Sequence, residues 1–259
     1  MPTIDLPGQP AVFYLEYKAD STSYPPLVLV HGAGGSRHDW PVSLQQLPDA
    51  HVLTLDLPGH GESAGPGRRD TLDYARIVGD LLGTLNLARA IIAGHSMGGA
   101  IAQQMAHHMP EHTAGLILVG TGSKLPVEPT LTRRIIEEHE AAVDWLTAWS
   151  WAADVPVTLK DAGRQRLRAV APEILQGDYI ACQAFDGRSQ LEQISVPVLV
   201  LGSDADRMMP LKFSVTLAER IPNARLVEIH GAGHNFPLER GGEVIGAIRE
   251  WLDAGKWEL

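Results

Sequence analysis

Short apolar runs recur along this 259-residue chain, separated by stretches in which apolar positions return every three to four residues. The runs cover 11–17, 27–31, 52–56, 90–94, 115–119, 198–202 and 224–229. Most are continuous rather than alternating and rich in Val, Ile and Leu, as strands buried on both faces of a parallel sheet are. Between them, 71–87 sets Tyr74, Val78, Leu81, Leu82 and Leu85 on one helical stripe, with Asp70 in front as an N-cap. Stretches 211–221 and 243–252 read as two further helices. Repeated strand–helix alternation predicts an α/β fold, a mostly parallel central sheet with helices on both faces.

One stretch departs from the rhythm. From Lys124 to Gln193 the text is helical, with segments at 131–151, 160–170 and 172–185 and no convincing strand. It is too long for a loop in a compact domain. An inserted helical cap is expected, with 1–123 and 194–259 forming the core.

Composition narrows the function classes. The net charge is −10, against a basic footprint for nucleic acid. Cys182 is the single cysteine, so neither an intramolecular disulfide nor a cysteine metal cluster is available, and it reads as a buried thiol. The N-terminus, Met1-Pro2-Thr3-Ile4-Asp5-Leu6-Pro7, has no basic region and no long apolar run, and no transmembrane stretch is visible. A cytoplasmic protein without membrane insertion is expected; the oligomeric state is not readable.

The candidate chemistry centres on Gly94-His95-Ser96-Met97-Gly98, a G-x-S-x-G pentapeptide between a strand-like and a helix-like run. This pattern makes a sharp turn that exposes a serine Oγ at a helix start, the arrangement of a nucleophile. Such a serine needs a base, an acid to orient the base, and donors for an oxyanion. Among eleven histidines, His234 stands out because Gly231-Ala232-Gly233 leads to it from the last strand. His230, at that strand's end, reads as structural. Two aspartates follow the penultimate strand: Asp206, four residues before Pro210, is the candidate acid, and Asp204 an Asx-turn residue and the alternative acid. The oxyanion donors expected are the N–H of Met97, at the helix start, and that of Ala33 in His31-Gly32-Ala33-Gly34-Gly35-Ser36. No Lys-Ser/Thr follows those glycines, against a phosphate-cradling loop.

With these motifs, Asp56-Leu57-Pro58-Gly59-His60-Gly61-Glu62-Ser63 and Gly233-His234…Glu239, the chain resembles the α/β-hydrolase superfamily, in its esterase, lactonase and carbon–carbon hydrolase branch. The resemblance implies the order Ser96…Asp206…His234 and hydrolysis of a small-molecule carboxylic ester by water through an acyl-enzyme, with no metal or organic cofactor. Lactone hydrolysis, carbon–carbon cleavage and cofactor-free perhydrolysis use the same triad; a non-catalytic binding protein on this fold is the third class. Relatives that are haloalkane dehalogenases or epoxide hydrolases carry aspartate at the elbow, so Ser96 argues against both. In relatives the acid commonly lies three residues after the glycine ending its strand, whereas Asp206 lies four after Gly202.

Around this set, Gly32, Gly34, His95, Trp145 and Trp149 are candidates to line the substrate pocket. Trp145, Trp149 and Trp151 read first as cap core, with substrate contact the alternative, and His95 as packing beside the elbow. Asp56 and His60 read as bracing the 58–63 turn, and Glu239 as an anchor for the His234 loop. Arg133 and Arg134 read as surface residues, with contact to an acidic substrate the alternative.

Overall fold

The computed structural model describes residues 3–257; Met1, Pro2, Glu258 and Leu259, which belong to the terminal stretches read above, lie outside the described residues. The strands are β1 (Thr3–Ile4), β2 (Val12–Lys18), β3 (Leu27–Val30), β4 (His51–Leu55), β5 (Ala90–His95), β6 (Thr113–Val119), β7 (Val198–Ser203) and β8 (Ala224–Ile229). They form one sheet in the order β1-β2-β4-β3-β5-β6-β7-β8. The pairs from β4 to β8 are parallel, and β2 joins β4 antiparallel. Strand β1, which no apolar run announced, is two residues long and pairs with β2 at the sheet edge.

The helices are α1 (Val42–Gln45), α2 (Thr71–Thr84), α3 (Met97–His108), α4 (Leu131–Glu137), α5 (His139–Ser150), α6 (Val157–Ala169), α7 (Pro172–Ala184), α8 (Lys212–Arg220), α9 (Phe236–Glu239) and α10 (Gly241–Ala254). Asp70 caps α2 by accepting from Leu72 N at 2.8 Å.

Successive strand side chains point to opposite faces, and both faces are covered. Val28, Val30, Leu116, Leu118, Val198 and Val200 pack with the stripes of α2, α3 and α8. Their neighbours Leu27, Leu29, Ile117, Val119, Leu199 and Leu201 pack on the other side with Leu44 of α1 and Val244, Ile248 and Trp251 of α10. Each such side chain, removed from water, contributes about 1.5–3 kcal/mol. Two-sided burial is why these strands read as continuous apolar runs.

Helices α4 to α7 lie between β6 and β7. Leu131, Ile135, Ala142, Leu146, Leu175 and Tyr179 join α4, α5 and α7 in their own apolar cluster, and Leu167 of α6 packs against it. Farther along α7, Ala181 and Cys182 enter the core beside the sheet. The single helix expected over 131–151 is two: the backbone leaves helical geometry at Glu138 (φ −138°, ψ 48°). The break is hidden in the sequence because Leu131, Ile135, Ala142 and Leu146 keep helical spacing across it.

The order in which strands are added to the sheet reverses at β3, which is flanked by β4 on one side and β5 on the other. Crevices at the carboxyl ends of strands at such a switch point are where α/β sheets bind ligands.

Candidate active site

Ser96 follows β5 at that crevice, with φ 54° and ψ −116°. A non-glycine residue there is strained and has to be held by its surroundings. Ser96 N donates to Val119 O at 2.9 Å, and Ser96 O accepts from Gly99 N at 2.9 Å and Thr121 Oγ1 at 2.8 Å. The flanking glycines are demanded by close approach. A Cβ on Gly94 would lie 2.0 Å from Gly98 O, and one on Gly98 would lie 2.3 Å from Val30 O. Across residues 91–100 every residue but Ser96 is buried. Met97 opens α3, so its N–H is among those with no intrahelical acceptor.

The loop 31–36 leaves the adjacent strand β3, where Val30 pairs with Gly94. The two loops touch: a Cβ on Gly32 would lie 3.1 Å from Ser96 Cβ. Gly35 N closes a turn on Gly32 O at 3.1 Å. His31 Nε2 accepts from Leu57 N at 3.0 Å and Nδ1 lies 2.8 Å from Gly32 O, which makes Nδ1 the protonated nitrogen. Burial first, then the charge of His60, holds His31 down at about 4, so the ring is neutral.

His234 Nδ1 lies 2.8 Å from Asp206 Oδ2, and both side chains are almost wholly buried. The carboxylate can only accept, so Nδ1 carries a proton and Nε2 is the nitrogen left free of Asp206. Asp206 Oδ1 accepts from Met208 N at 2.9 Å and Met209 N at 2.8 Å. Asp204 is turned elsewhere, accepting from Gly231 N at 2.7 Å and facing exposed His230 at 3.0 Å. The apparent extra residue before Asp206 has a simple origin: β7 runs on to Ser203, so Asp206 lies three residues beyond the strand's end.

Every residue of the loop carrying His234 is tied down. Gly231 N donates to Asp204, Ala232 O accepts from Ser203 Oγ at 2.6 Å, and Gly233 N donates to Glu239 Oε2 at 2.9 Å. His234 O faces His95 Nε2 at 2.9 Å, and Asn235 N donates to Ser150 O at 3.0 Å. Burial, then the nearby His234, holds His95 down at about 3, so it serves as a neutral donor from Nε2.

Ser96 and His234 open on one cavity of about 420 Å³. Gly32, Ala33, Gly34 and His95 line its floor; Leu146, Trp151, Arg166, Leu167, Val170 and Tyr179 from the helical segment line its roof.

Residues 27–247 match the model of the Alpha/beta hydrolase family. The chain belongs to this family. It is 30% identical, over 88% of its length and 92% of the relative's, to the AB hydrolase superfamily protein YisY of Bacillus subtilis. It is 33% identical, over 85% of its length, to the dihydrolipoyllysine-residue acetyltransferase component of the acetoin cleaving system of Pseudomonas putida, of which the match spans only 61%. Among solved structures it is similar to a thermophilic esterase from Thermogutta terrifontis, with a TM-score of 0.87, 26% identity and 98% of each chain covered.

Two features of this α/β hydrolase have no counterpart in its motifs. The first is Asp178 on α7, fully buried. Its Oδ2 accepts from Gly34 N at 2.8 Å and faces His60 Nε2 at 2.8 Å; its Oδ1 accepts from Tyr74 Oη at 2.6 Å. His60 Nδ1 in turn lies 3.1 Å from Pro58 O. With an acceptor on each side, the ring carries both protons. Burial opposes that charge, but the Asp178 carboxylate and the hydrogen bonds outweigh it and raise the His60 pKa. His60 thus reaches beyond the 58–63 turn, and the turn is braced by Asp56, which accepts from Glu62 N at 3.0 Å and Arg37 N at 2.7 Å and pairs with the Arg37 guanidinium. The second is Arg166 of α6, at the cavity wall.

Two pocket candidates are corrected. Trp145 and Trp149 do not line the cavity. They stack on each other with centroids 5.3 Å apart, and Trp149 is exposed beneath the Arg207 guanidinium. On α5 the face that meets the cavity is Leu146, Thr147 and Ser150, and Trp151 follows at the helix end. Arg133 and Arg134 pair with Glu137 and Glu138 on their own helix turns.

Proposed function

We propose that this α/β hydrolase cleaves carboxylic esters through an acyl-enzyme on Ser96. The observation that carries the reading is a serine at positive φ on a cavity it shares with His234, whose Nδ1 is held by Asp206. His234 Nε2 removes the Ser96 proton as Oγ attacks the ester carbonyl. The oxyanion forms against the N–H groups of Ala33 and Met97. His234, now doubly protonated beside Asp206, gives its proton to the leaving alkoxide, which departs as the alcohol. Water then attacks the acyl-enzyme, giving its proton to His234, and the collapse that frees the carboxylic acid returns that proton to Ser96.

A fluorophosphonate probe labels wild type and not Ser96→Ala; equal labelling of both would remove Ser96 from the reading. Rates on p-nitrophenyl esters of rising acyl length, measured beside lactones and a vinylogous diketone, separate ester hydrolysis from the other reactions of the same triad. Faster turnover of the diketone than of any ester would replace esterase by carbon–carbon hydrolase.

A further inference from the structure

Helix α6 carries three arginines, and two are spent on its neighbour α5: Arg164 pairs with Asp144 at 2.5 Å and Arg168 with Glu140 at 2.7 Å. The third, Arg166, belongs to a different face. Gly163, Arg166, Leu167 and Val170 fall at helical spacing i, i+3, i+4, i+7, and all four line the cavity. The Nε of Arg166 is buried without a hydrogen-bond partner among the described residues. Its carboxylate neighbour, Asp39 Oδ1, stands 3.9 Å away, beyond hydrogen-bond reach, while Asp39 Oδ2 accepts from Ser36 N at 3.0 Å. The other guanidinium at the cavity, Arg37, is closed off by Asp56 and by Glu62 at 2.6 Å. The cavity wall thus holds one guanidinium that no carboxylate meets within hydrogen-bond reach among the described residues.

A buried guanidinium N–H left unmade is costly, and the fork geometry of arginine matches a carboxylate with two parallel hydrogen bonds. We propose that Arg166 receives a carboxylate of the substrate, so that the preferred esters are those carrying a free acid group at some distance from the scissile carbonyl. One available fork, with Arg37 already satisfied, suits a single carboxylate. The proposal rests on the esterase reading for its kinetic form, while the binding of an acid in the cavity stands by itself.

The test compares the mono-p-nitrophenyl esters of succinic, adipic and suberic acids with the same compounds methylated at the far carboxyl. For at least one chain length, wild type should favour the free acid in kcat/KM by about ten- to a hundredfold, chiefly through KM, the value of a charge-assisted hydrogen bond. Arg166→Gln should bring that ratio to one or below, and Arg166→Lys should keep part of it. A wild-type ratio of one or less at every length, which would leave Arg166 to Asp39, overturns the proposal. So does a ratio unchanged in Arg166→Gln. If wild type turns over neither ester, the esterase reading fails instead. Isothermal titration with monomethyl adipate, monomethyl succinate and monomethyl suberate then decides on Arg166: binding of one of them that Arg166→Gln loses upholds the site, and equal binding, or none, refutes it.

Discussion

Replacing Asp178 by asparagine removes one charge and one acceptor from the place where α7 meets the glycine loop. The carboxylate takes three partners, Gly34 N, His60 Nε2 and Tyr74 Oη, within 2.6–2.8 Å. The amide can keep an oxygen toward Gly34, but its NH₂ then faces Tyr74 Oη, which already accepts from Arg68 N at 2.8 Å. His60 loses its anion and must either stay charged and buried or give up a proton. At an effective dielectric of about 20, two charges 2.8 Å apart attract by about 6 kcal/mol before desolvation is subtracted. Losing one partner of such a buried pair costs about 3–5 kcal/mol. Urea denaturation at neutral pH should show that loss, with a melting temperature lower by about 10 °C for a chain of this size. The loop effect is separate: a neutral amide holds Gly34 N more weakly than the carboxylate does, so Ala33 N–H shifts, and kcat on p-nitrophenyl acetate should fall about 10- to 100-fold with KM little changed. The raised His60 pKa sets the sign with pH. The pair's stabilisation is complete below the unfolded histidine value near 6.5 and fades as pH rises through the folded value, so the wild-type advantage over Asp178→Asn should narrow in alkaline buffer. A stability loss below about 1 kcal/mol, or a gap that widens with pH, would refute this account of the network.

Asp206→Asn should lower kcat about 10³- to 10⁴-fold, because the amide favours the wrong tautomer of His234, while Asp204→Asn should stay within about threefold; steady-state kinetics of the two variants decide, and the reverse order would move the acid. Gly98→Ala should destabilise by about 3 kcal/mol or more, since its Cβ must displace the backbone carbonyl of Val30, with calorimetry as the check. Acid should weaken the fold through His31 and His95, buried neutral with pKa values near 4 and 3. Both are depressed, so their contribution is whole above about pH 6.5 and is lost as pH falls, about 3 kcal/mol each by pH 4. His95→Gln should flatten the slope of unfolding free energy against pH between 6.5 and 4; an unchanged slope would mean that His95 does not carry it.

The sheet was legible in the chain because two-sided burial writes a strand as an unbroken apolar run, and the order of runs and stripes implied parallel pairing. The turn at Ser96 is local too: Gly94 and Gly98 are required by backbone contacts within and beside that turn, so the pentapeptide announces it. Local patterns failed where a residue's meaning lies in what faces it. Glu138 breaks a helix whose apolar period runs on undisturbed. Trp145 and Trp149 are open in the sequence to a pocket role beside their reading as cap core, and the rotation about α5 directs them at each other and gives the cavity to Leu146 and Ser150. Asp204 and Asp206 differ by two positions in one loop, and only the end of β7 and the path of the 231–235 loop turn one carboxylate toward His234 and the other toward Gly231. Asp178 and Arg166 carried no motif at all. Asp178 lies 144 residues from Gly34 and 118 from His60 along the chain, and Arg166 differs from Arg164 and Arg168 solely in the side of α6 it occupies. Spacing along one strand, turn or helix is set by backbone geometry and can be read in order; which buried charge meets which donor is set by packing between distant segments, and the folded chain alone decides it.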